Sequence, residues 1–297
     1  MKRVIINIII ILAVVALCDI AAGLIGNKML MNTPEVGTLQ TDAFQALFKK
    51  KCDVLILGSS RARHTFQPKM IADSTGMTAY NAGIDGHGMN YAMIVLQSTL
   101  ERCKPQVVIL DACAAMVTSV WLNNSIDDIK HFYGLNKPLT NYINDYGTWQ
   151  LKSKLYSNLY RLNSTLTWMA KAHTIPIHDC DGYEPLYGNL TDTAIINFTD
   201  FETNSIQVKC FEEIIKTCRE NDIKLYVYIA PSLEVTAPFQ VWMNDFCRQQ
   251  NVMLKDYGCH PLFFNNRHRY FNDSDHLNDD GATLMTQIMI KESLGLI

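Results

Sequence analysis

The chain has 297 residues, which favours one sizeable α/β domain with a large insertion over two small domains. Its 26 basic and 29 acidic residues give a net charge of −3, and no RNA-binding or helix-turn-helix signature occurs, so we expect no nucleic-acid partner. The cysteines and histidines lack zinc-site spacing, and we expect neither a metal nor a cofactor.

The first predicted element is an apolar segment, residues 4–25. As a helix it would be about 33 Å long, close to the thickness of the hydrocarbon core. Lys2 and Arg3 precede it, so the positive-inside rule places the rest of the chain outside the cytoplasm, in the periplasm or the extracellular space. Residues 1–26 are therefore expected to be a membrane anchor or a signal peptide.

The fate of this segment has three interpretations. It can remain as an uncleaved anchor, which we prefer, with residues 27–50 as a tether. Small residues at Ala21 and Gly23 are compatible with cleavage as a signal peptide, and Cys18 is compatible with a lipoprotein although its surroundings make a poor lipobox.

Residues 51–297 are predicted to form one α/β domain, because strands and helices alternate along them. This alternation indicates a three-layer α/β/α sandwich around a mostly parallel, flavodoxin-like sheet. The predicted strands are 53–57, 78–82, 106–110, 223–230 and 252–254. The predicted helices are 68–74, 87–101, 205–221, 238–250 and one at the C-terminus.

The alternation breaks at about residues 117–203, a segment rich in Asn, Tyr and Trp. We interpret it as a mostly helical insertion over the carboxyl edge of the sheet. Rings that stack on sugars and amides that bond hydroxyls suit a carbohydrate site, but Tyr and Leu at helical spacing are equally typical of a packing face.

The segment DVLILGSSRARH, residues 53–64, holds the first candidate site. Its apolar run predicts a strand buried on both faces that ends at Gly58. Ser59 or Ser60 then lies at the carboxyl end of a parallel sheet, where open α/β folds keep their sites. The alternative is that the serine only caps the next helix.

Asp273 and His276 form the second candidate feature, an acid and an imidazole three residues apart in a loop before the last helix. This spacing lets Asp273 bond one ring nitrogen while the other points outward, which fixes the tautomer needed by a general base. Asp275 points elsewhere, and residues 278–280 are expected to cap the last helix and supply its first-turn acids.

The third feature is the loop NAGIDGHG, residues 81–88. Its G-x-x-G-x-G spacing does not fit a dinucleotide loop. A glycine at a strand exit can instead turn its N–H towards a reacting carbonyl, as an oxyanion hole requires.

Taken together, Ser60, Gly86 and the D-x-x-H resemble the SGNH (GDSL-type) hydrolase family over residues 53–116 and 204–294. Gly58-Ser59-Ser60 stands where the family has G-D-S. The resemblance implies Ser60 as nucleophile, His276 as base, Asp273 as its orienting acid, and the N–H groups of Ser60 and Gly86 as oxyanion donors.

The chain departs from the family in the third block, where G-x-N-D is replaced by LDACA, residues 110–114. Losing one oxyanion donor typically costs about 10² to 10³ in rate. Asn90 or Arg61 are candidate substitutes. Arg61 and Asp111 are also candidate substrate-binding residues, with helix capping as the other role for Asp111.

These features predict an extracytoplasmic serine esterase or O-acyltransferase that acts through an acyl-enzyme. The expected substrate carries acyl groups, in particular acetyl groups, on a cell-surface or secreted polysaccharide. The competing interpretation is a non-catalytic, membrane-tethered carbohydrate-binding or scaffold protein with a degenerate SGNH fold.

Overall fold

The computed structural model describes residues 1–32, 39–163, 165, 181–191 and 194–295. The chain divides into two compact units. The first comprises Met1–Thr41 and Asp128–His178, and the second comprises Asp42–Asp127 and Asp179–Ile297.

The second unit contains a five-stranded, fully parallel sheet in the order β2-β1-β3-β5-β7. In it Val54 pairs with Ala79 on one side and with Val107 on the other. A separate parallel pair joins β4 and β6. The strands are β1 Val54–Leu57, β2 Ala79–Asn81, β3 Val107–Asp111, β4 Ile196–Phe198, β5 Lys224–Ile229, β6 Glu234–Thr236 and β7 Met253–Asp256.

Helices of the second unit connect these strands. They are α3 Ser60–Thr65, α4 Pro68–Thr75, α5 Met89–Leu100, α6 Ala114–Val117, α7 Asn124–Asp127, α11 Ser205–Glu220, α12 Ala237–Gln249, α13 Pro261–Phe264, α14 Arg267–Tyr270 and α15 Asp279–Ser293. The helix α2, Leu39–Phe44, crosses the boundary between the units and continues into a π-helical turn, Gln45–Lys49.

The central strands β1 and β3 are buried on both faces, as their near-continuous Val, Ile and Leu runs predict. One face carries a core that includes Val54, Ile56 and Ile109 from the sheet together with Ile71 of α4 and Met285 of α15. Alternate residues, Leu55, Leu57, Val108, Leu110 and Val227, lie on the opposite face. There α5 packs on α11, and α11 packs on β5.

This architecture confirms the predicted α/β sandwich with a mostly parallel sheet. The strand order, renumbered within the sheet alone, is the flavodoxin-like 2-1-3-4-5. Each predicted strand and helix outside the insertion has a counterpart within about two residues, except that the last strand runs to Asp256.

The first unit contains α1 Lys2–Met31, α8 Lys137–Tyr146, α9 Trp149–Leu155, α10 Asn158–Leu162 and a 3₁₀ turn at Lys130–Phe132. Among the described residues, α1 is the one helix long and apolar enough to cross a membrane. It ends at Met31, five residues beyond the predicted anchor boundary, because its last turns pack on α10.

Asp19 carries much of that packing. Its carboxylate accepts hydrogen bonds from the hydroxyl of Ser157 (2.7 Å) and from the backbone N–H groups of Asn158 (3.1 Å) and Leu159 (2.9 Å), and so caps α10. Gly23 and Gly26 follow at helical spacing, and a Cβ on them would meet Asn158 and Leu162 at 2.6 and 2.4 Å. The insertion segment 128–163 thus groups with the N-terminal helix.

Candidate active site

The turn that presents Ser60 leaves no room for a side chain at Gly58. After β1, Gly58 has φ +152°, and a Cβ there would lie 2.8 Å from the carbonyl oxygen of Asp111 and 2.6 Å from Cβ of Ala62. Ser59 follows fully buried, with Oγ 3.8 Å from Sγ of Cys113. The close turn therefore directs Ser59 inward and brings Ser60 to the start of α3.

Ser60, His276 and Asp273 lie together, as the sequence predicts. Nε2 of His276 is 2.8 Å from Oγ of Ser60. Nδ1 of His276 is 3.0 Å from each carboxylate oxygen of Asp273. This is the linear arrangement in which an imidazole takes a proton from the hydroxyl while the carboxylate fixes its tautomer.

The loop of His276 is built by local hydrogen bonds. Oδ1 of Asp273 accepts the N–H groups of Asp275 and His276, both at 2.8 Å. An antiparallel bridge between Phe271 and Leu277 closes the loop, and Asn278 caps α15 by accepting from Gly281 at 3.0 Å. These short-range contacts explain why D-x-x-H is readable from sequence.

Electrostatics make His276 a stronger base and keep Asp273 ionised. Burial opposes the imidazolium, but the hydrogen bond to Asp273 and the charges of Asp275 and Asp273 outweigh it, so the pKa of His276 is raised. Burial also opposes the charged form of Asp273, but its hydrogen bonds with His276 and two backbone N–H groups hold the pKa of that carboxyl below its usual range.

The predicted backbone donors, Ser60 and Gly86, lie in neighbouring segments of the second unit. Gly86 has φ +70°, a left-handed conformation in the turn before α5. Gly83, three residues earlier, approaches the nucleophile turn so closely that a Cβ would lie 2.8 Å from the carbonyl oxygen of Ser59. The loop of residues 81–88 is therefore packed directly on the turn that carries Ser60.

Asn90 does not fit the predicted role of an oxyanion donor. It is fully buried in α5, where Nδ2 donates to the carbonyl of Leu122 (2.9 Å) and Oδ1 accepts from Tyr91 (3.0 Å). These contacts direct its amide group into the protein interior and do not support the predicted role.

Arg61 and Asp111 form an internal charge cluster. Arg61 is 6% exposed, and its guanidinium donates to the carbonyl of Ala230 and lies 3.9 Å from Asp111 and 4.0 Å from Asp275. Asp111 is fully buried and accepts from the N–H of Ala230 at 2.8 Å. Burial raises the pKa of Asp111 to about 6 although Arg61 opposes this shift. The contacts found for both residues are thus within the protein, and no substrate contact follows from them.

His64 is a neighbour of the site that the sequence analysis missed. Its ring meets that of His276 edge to face, with centroids 5.3 Å apart, and its Nδ1 lies 2.7 Å from the carbonyl oxygen of Glu184. Nε2 of His64 is 3.6 Å from Asp85. His64 lies four residues after Ser60 in the same helix, and this spacing, which places both residues on one face, could have indicated it from the sequence.

The fold and the site together define an α/β protein with a Ser-His-Asp arrangement at the carboxyl edge of a parallel sheet. Within the described part of the chain, no group of three or more His, Cys, Asp or Glu side chains is placed to hold a metal ion. No family model and no curated protein matches the chain.

Several solved structures are similar to this chain. One, described as a putative acylhydrolase from Bacteroides fragilis, has 13% identity and a TM-score of 0.43, with coverage of 86% of this chain and 94% of that one. Another, described as a putative lipolytic protein of the G-D-S-L family from Desulfitobacterium hafniense, has 10% identity and a TM-score of 0.39, with coverage of 80% and 97%. A third, described as a putative platelet activating factor from Streptococcus pneumonia, has 12% identity and a TM-score of 0.42, with coverage of 92% and 97%.

One description names an acylhydrolase and another names the G-D-S-L family. All three TM-scores are below 0.5, so we argue the function from the chain's own site.

Proposed function

We propose that this protein is a serine esterase or O-acyltransferase that forms an acyl-enzyme on Ser60. The single observation that carries the proposal is the 2.8 Å contact between Ser60 Oγ and His276 Nε2, with Asp273 on the other ring nitrogen. His276 takes the hydroxyl proton as Ser60 attacks the ester carbonyl, then returns it to the leaving alcohol. Water or a second alcohol then takes the acyl group from Ser60.

The proposed substrate is an O-acylated polysaccharide. An exposed tyrosine, Tyr187, lies beside the loop of His276, since its carbonyl accepts from Nδ2 of Asn272 at 2.7 Å. A solvent-exposed ring at the rim of the site suits stacking on a sugar face. The proposed location outside the cytoplasm also favours a surface polymer over a metabolite.

We further propose that α1 remains attached as a membrane anchor, with the triad outside the cytoplasm. Supporting this, Asp19, Gly23 and Gly26 pack on α10, so cleavage near Ala21 would remove a folded contact. Lys2 and Arg3 at the start of α1 favour a cytoplasmic N-terminus.

A fluorophosphonate probe tests these proposals in one experiment. We expect the probe to label the wild-type protein in the membrane fraction, at the full 33.7 kDa of the chain. Ser60→Ala should abolish labelling because the attacking oxygen is lost. Ser59→Ala is the matched control and should still label, since Ser59 is buried against Cys113.

Acetate release from an O-acetylated polysaccharide, lost in Ser60→Ala, is the substrate readout. Absence of labelling in folded wild-type protein would refute the enzyme and favour a binding role. A labelled band shorter by the apolar segment would refute the uncleaved anchor.

The pH profile gives a second prediction. His276 accepts a proton only when neutral, and its pKa is raised above its ordinary value. We therefore expect kcat/KM for p-nitrophenyl acetate to rise with pH, with a midpoint above about 6.5. Asp275→Asn removes one of the charges that raise this pKa, so the midpoint should move to lower pH. A wild-type midpoint at or below 6.5 would contradict the electrostatics described for this site.

A further inference from the structure

The proposed site lacks the side-chain amide that the family's third block supplies to the oxyanion. Where the third sequence block would supply an asparagine amide, this chain has Cys113, whose thiol lies against Ser59. Burial raises the pKa of that thiol to about 11, so it is a neutral, weak donor turned towards the interior. A third donor to the oxyanion must come from another segment.

We propose that the indole N–H of Trp121 is that donor. This inference rests on the proposed function, because it assigns a residue to the same acyl-transfer site. Trp121 follows the third block in the chain and belongs to the same compact unit as Ser60 and Gly86.

The position of the indole nitrogen carries the proposal. Nε1 of Trp121 lies 3.9 Å from the place where a Cβ on Gly86 would be, and no other heavy atom comes within 4 Å of that place apart from the glycine's chain neighbours. Standard backbone geometry then puts Nε1 within about 6.4 Å of the Gly86 nitrogen. Two donors that bond one oxygen at about 2.9 Å each can lie up to about 6 Å apart, so most of the range allowed for this pair is compatible with one shared oxyanion.

Polar contacts hold the backbone of Trp121 in place. Oγ of Ser125 donates to the carbonyl of Trp121 at 2.8 Å and accepts the N–H of Gly88 at 2.9 Å. Nδ2 of Asn90 donates to the carbonyl of the next residue, Leu122. The backbone at Trp121 is therefore fastened to the same loop and helix that carry Gly86.

The indole group is chemically suited to this role. It donates one hydrogen bond and accepts none, and it carries no charge that would have to be desolvated. Trp121 is partly buried. A neutral donor on a backbone that is held in place suits the electrostatic stabilisation of a developing oxyanion.

Trp121→Phe tests the proposal, because it keeps an aromatic ring and removes only the N–H donor. We expect kcat for p-nitrophenyl acetate to fall about 10² fold with KM little changed, since the interaction forms only in the transition state. Trp242→Phe is the matched control. Trp242 stacks on Phe246 in α12, and its replacement should leave kcat unchanged.

Ser125→Ala is a second variant, which leaves the indole intact but removes the hydroxyl that bonds both the carbonyl of Trp121 and the N–H of Gly88. It should lower kcat in the same direction, and both variants are compared with wild type by their thermal unfolding midpoints. Wild-type kcat in folded Trp121→Phe, alongside loss of labelling in Ser60→Ala, would overturn this inference and leave the proposed function standing. Absence of labelling and turnover in the wild type would overturn both.

Discussion

Asp273→Asn is expected to lower kcat for p-nitrophenyl acetate by about 10⁴ fold while the protein stays folded. The carboxylate of Asp273 accepts from Nδ1 of His276 and from two backbone N–H groups. An asparagine of the same shape can keep a backbone contact, but an amide that donates to Nδ1 selects the tautomer with its proton on Nε2. The base would then face Ser60 with a proton instead of a lone pair.

Asp280→Asn is the control for this prediction. Asp280 is an exposed acid in the first turn of α15, close in the chain to the same loop, and its replacement should leave kcat near the wild-type value. A kcat for Asp273→Asn within tenfold of wild type would mean that Asp273 does not orient His276.

Arg61→Met is expected to lower the free energy of unfolding by about 3–5 kcal/mol, because it leaves the buried carboxyl group of Asp111 without its cation. Arg61 is 6% exposed and Asp111 is fully buried, so water cannot replace the lost charge without opening the core. The pair lies below the turn of Ser60, and we expect the variant also to lose probe labelling as that turn loosens. Urea unfolding of the full chain in detergent micelles measures the change.

Arg248→Met is the matched control, because Arg248 pairs with Asp245 on an exposed helix face and should change stability little. Asp111→Asn separates charge from packing, since it keeps an acceptor for the N–H of Ala230 and removes the buried negative charge. Asp111→Asn should lower the free energy of unfolding by less than Arg61→Met does. Equal stability of Arg61→Met and wild type would show that the cluster is not paired in solution.

The parts of the site that sequence predicts are those fixed by neighbouring residues. The turn at Gly58 follows from an apolar strand that ends in a small residue, and the Asp273 to His276 contact spans three positions. Joining the two needs tertiary structure, since 216 residues separate Ser60 from His276. The family's motif order supplied that link.

The contacts that the sequence did not predict involve partners distant in the chain. The role of Asn90 is decided by the carbonyl of Leu122, 32 residues later. Arg61 looks in sequence like an accessible cation beside a nucleophile, but its side chain turns inward to Ala230, 169 residues away. Composition gives no sign of either contact, because both depend on how separate elements stack.

The composition of the insertion likewise did not predict which elements it packs on. Its aromatic and amide residues indicated a cover over the sheet edge, and this stays a prediction; residues 128–163 belong to the same compact unit as α1. The prediction for residues 166–180 falls outside the described residues. Helix periodicity did predict the helical character of α8, α9 and α10.

Because Asp19 caps α10, a shorter length of α1 is free to lie in the hydrocarbon core of a membrane. If the carboxylate and its polar partners stay out of the hydrocarbon, residues 4–18 remain to cross it, a helical length of about 22 Å. A typical hydrocarbon core is about 30 Å thick. If α1 is the proposed anchor, the bilayer would thin around this helix, or Lys2 and Arg3 would extend to the far headgroups.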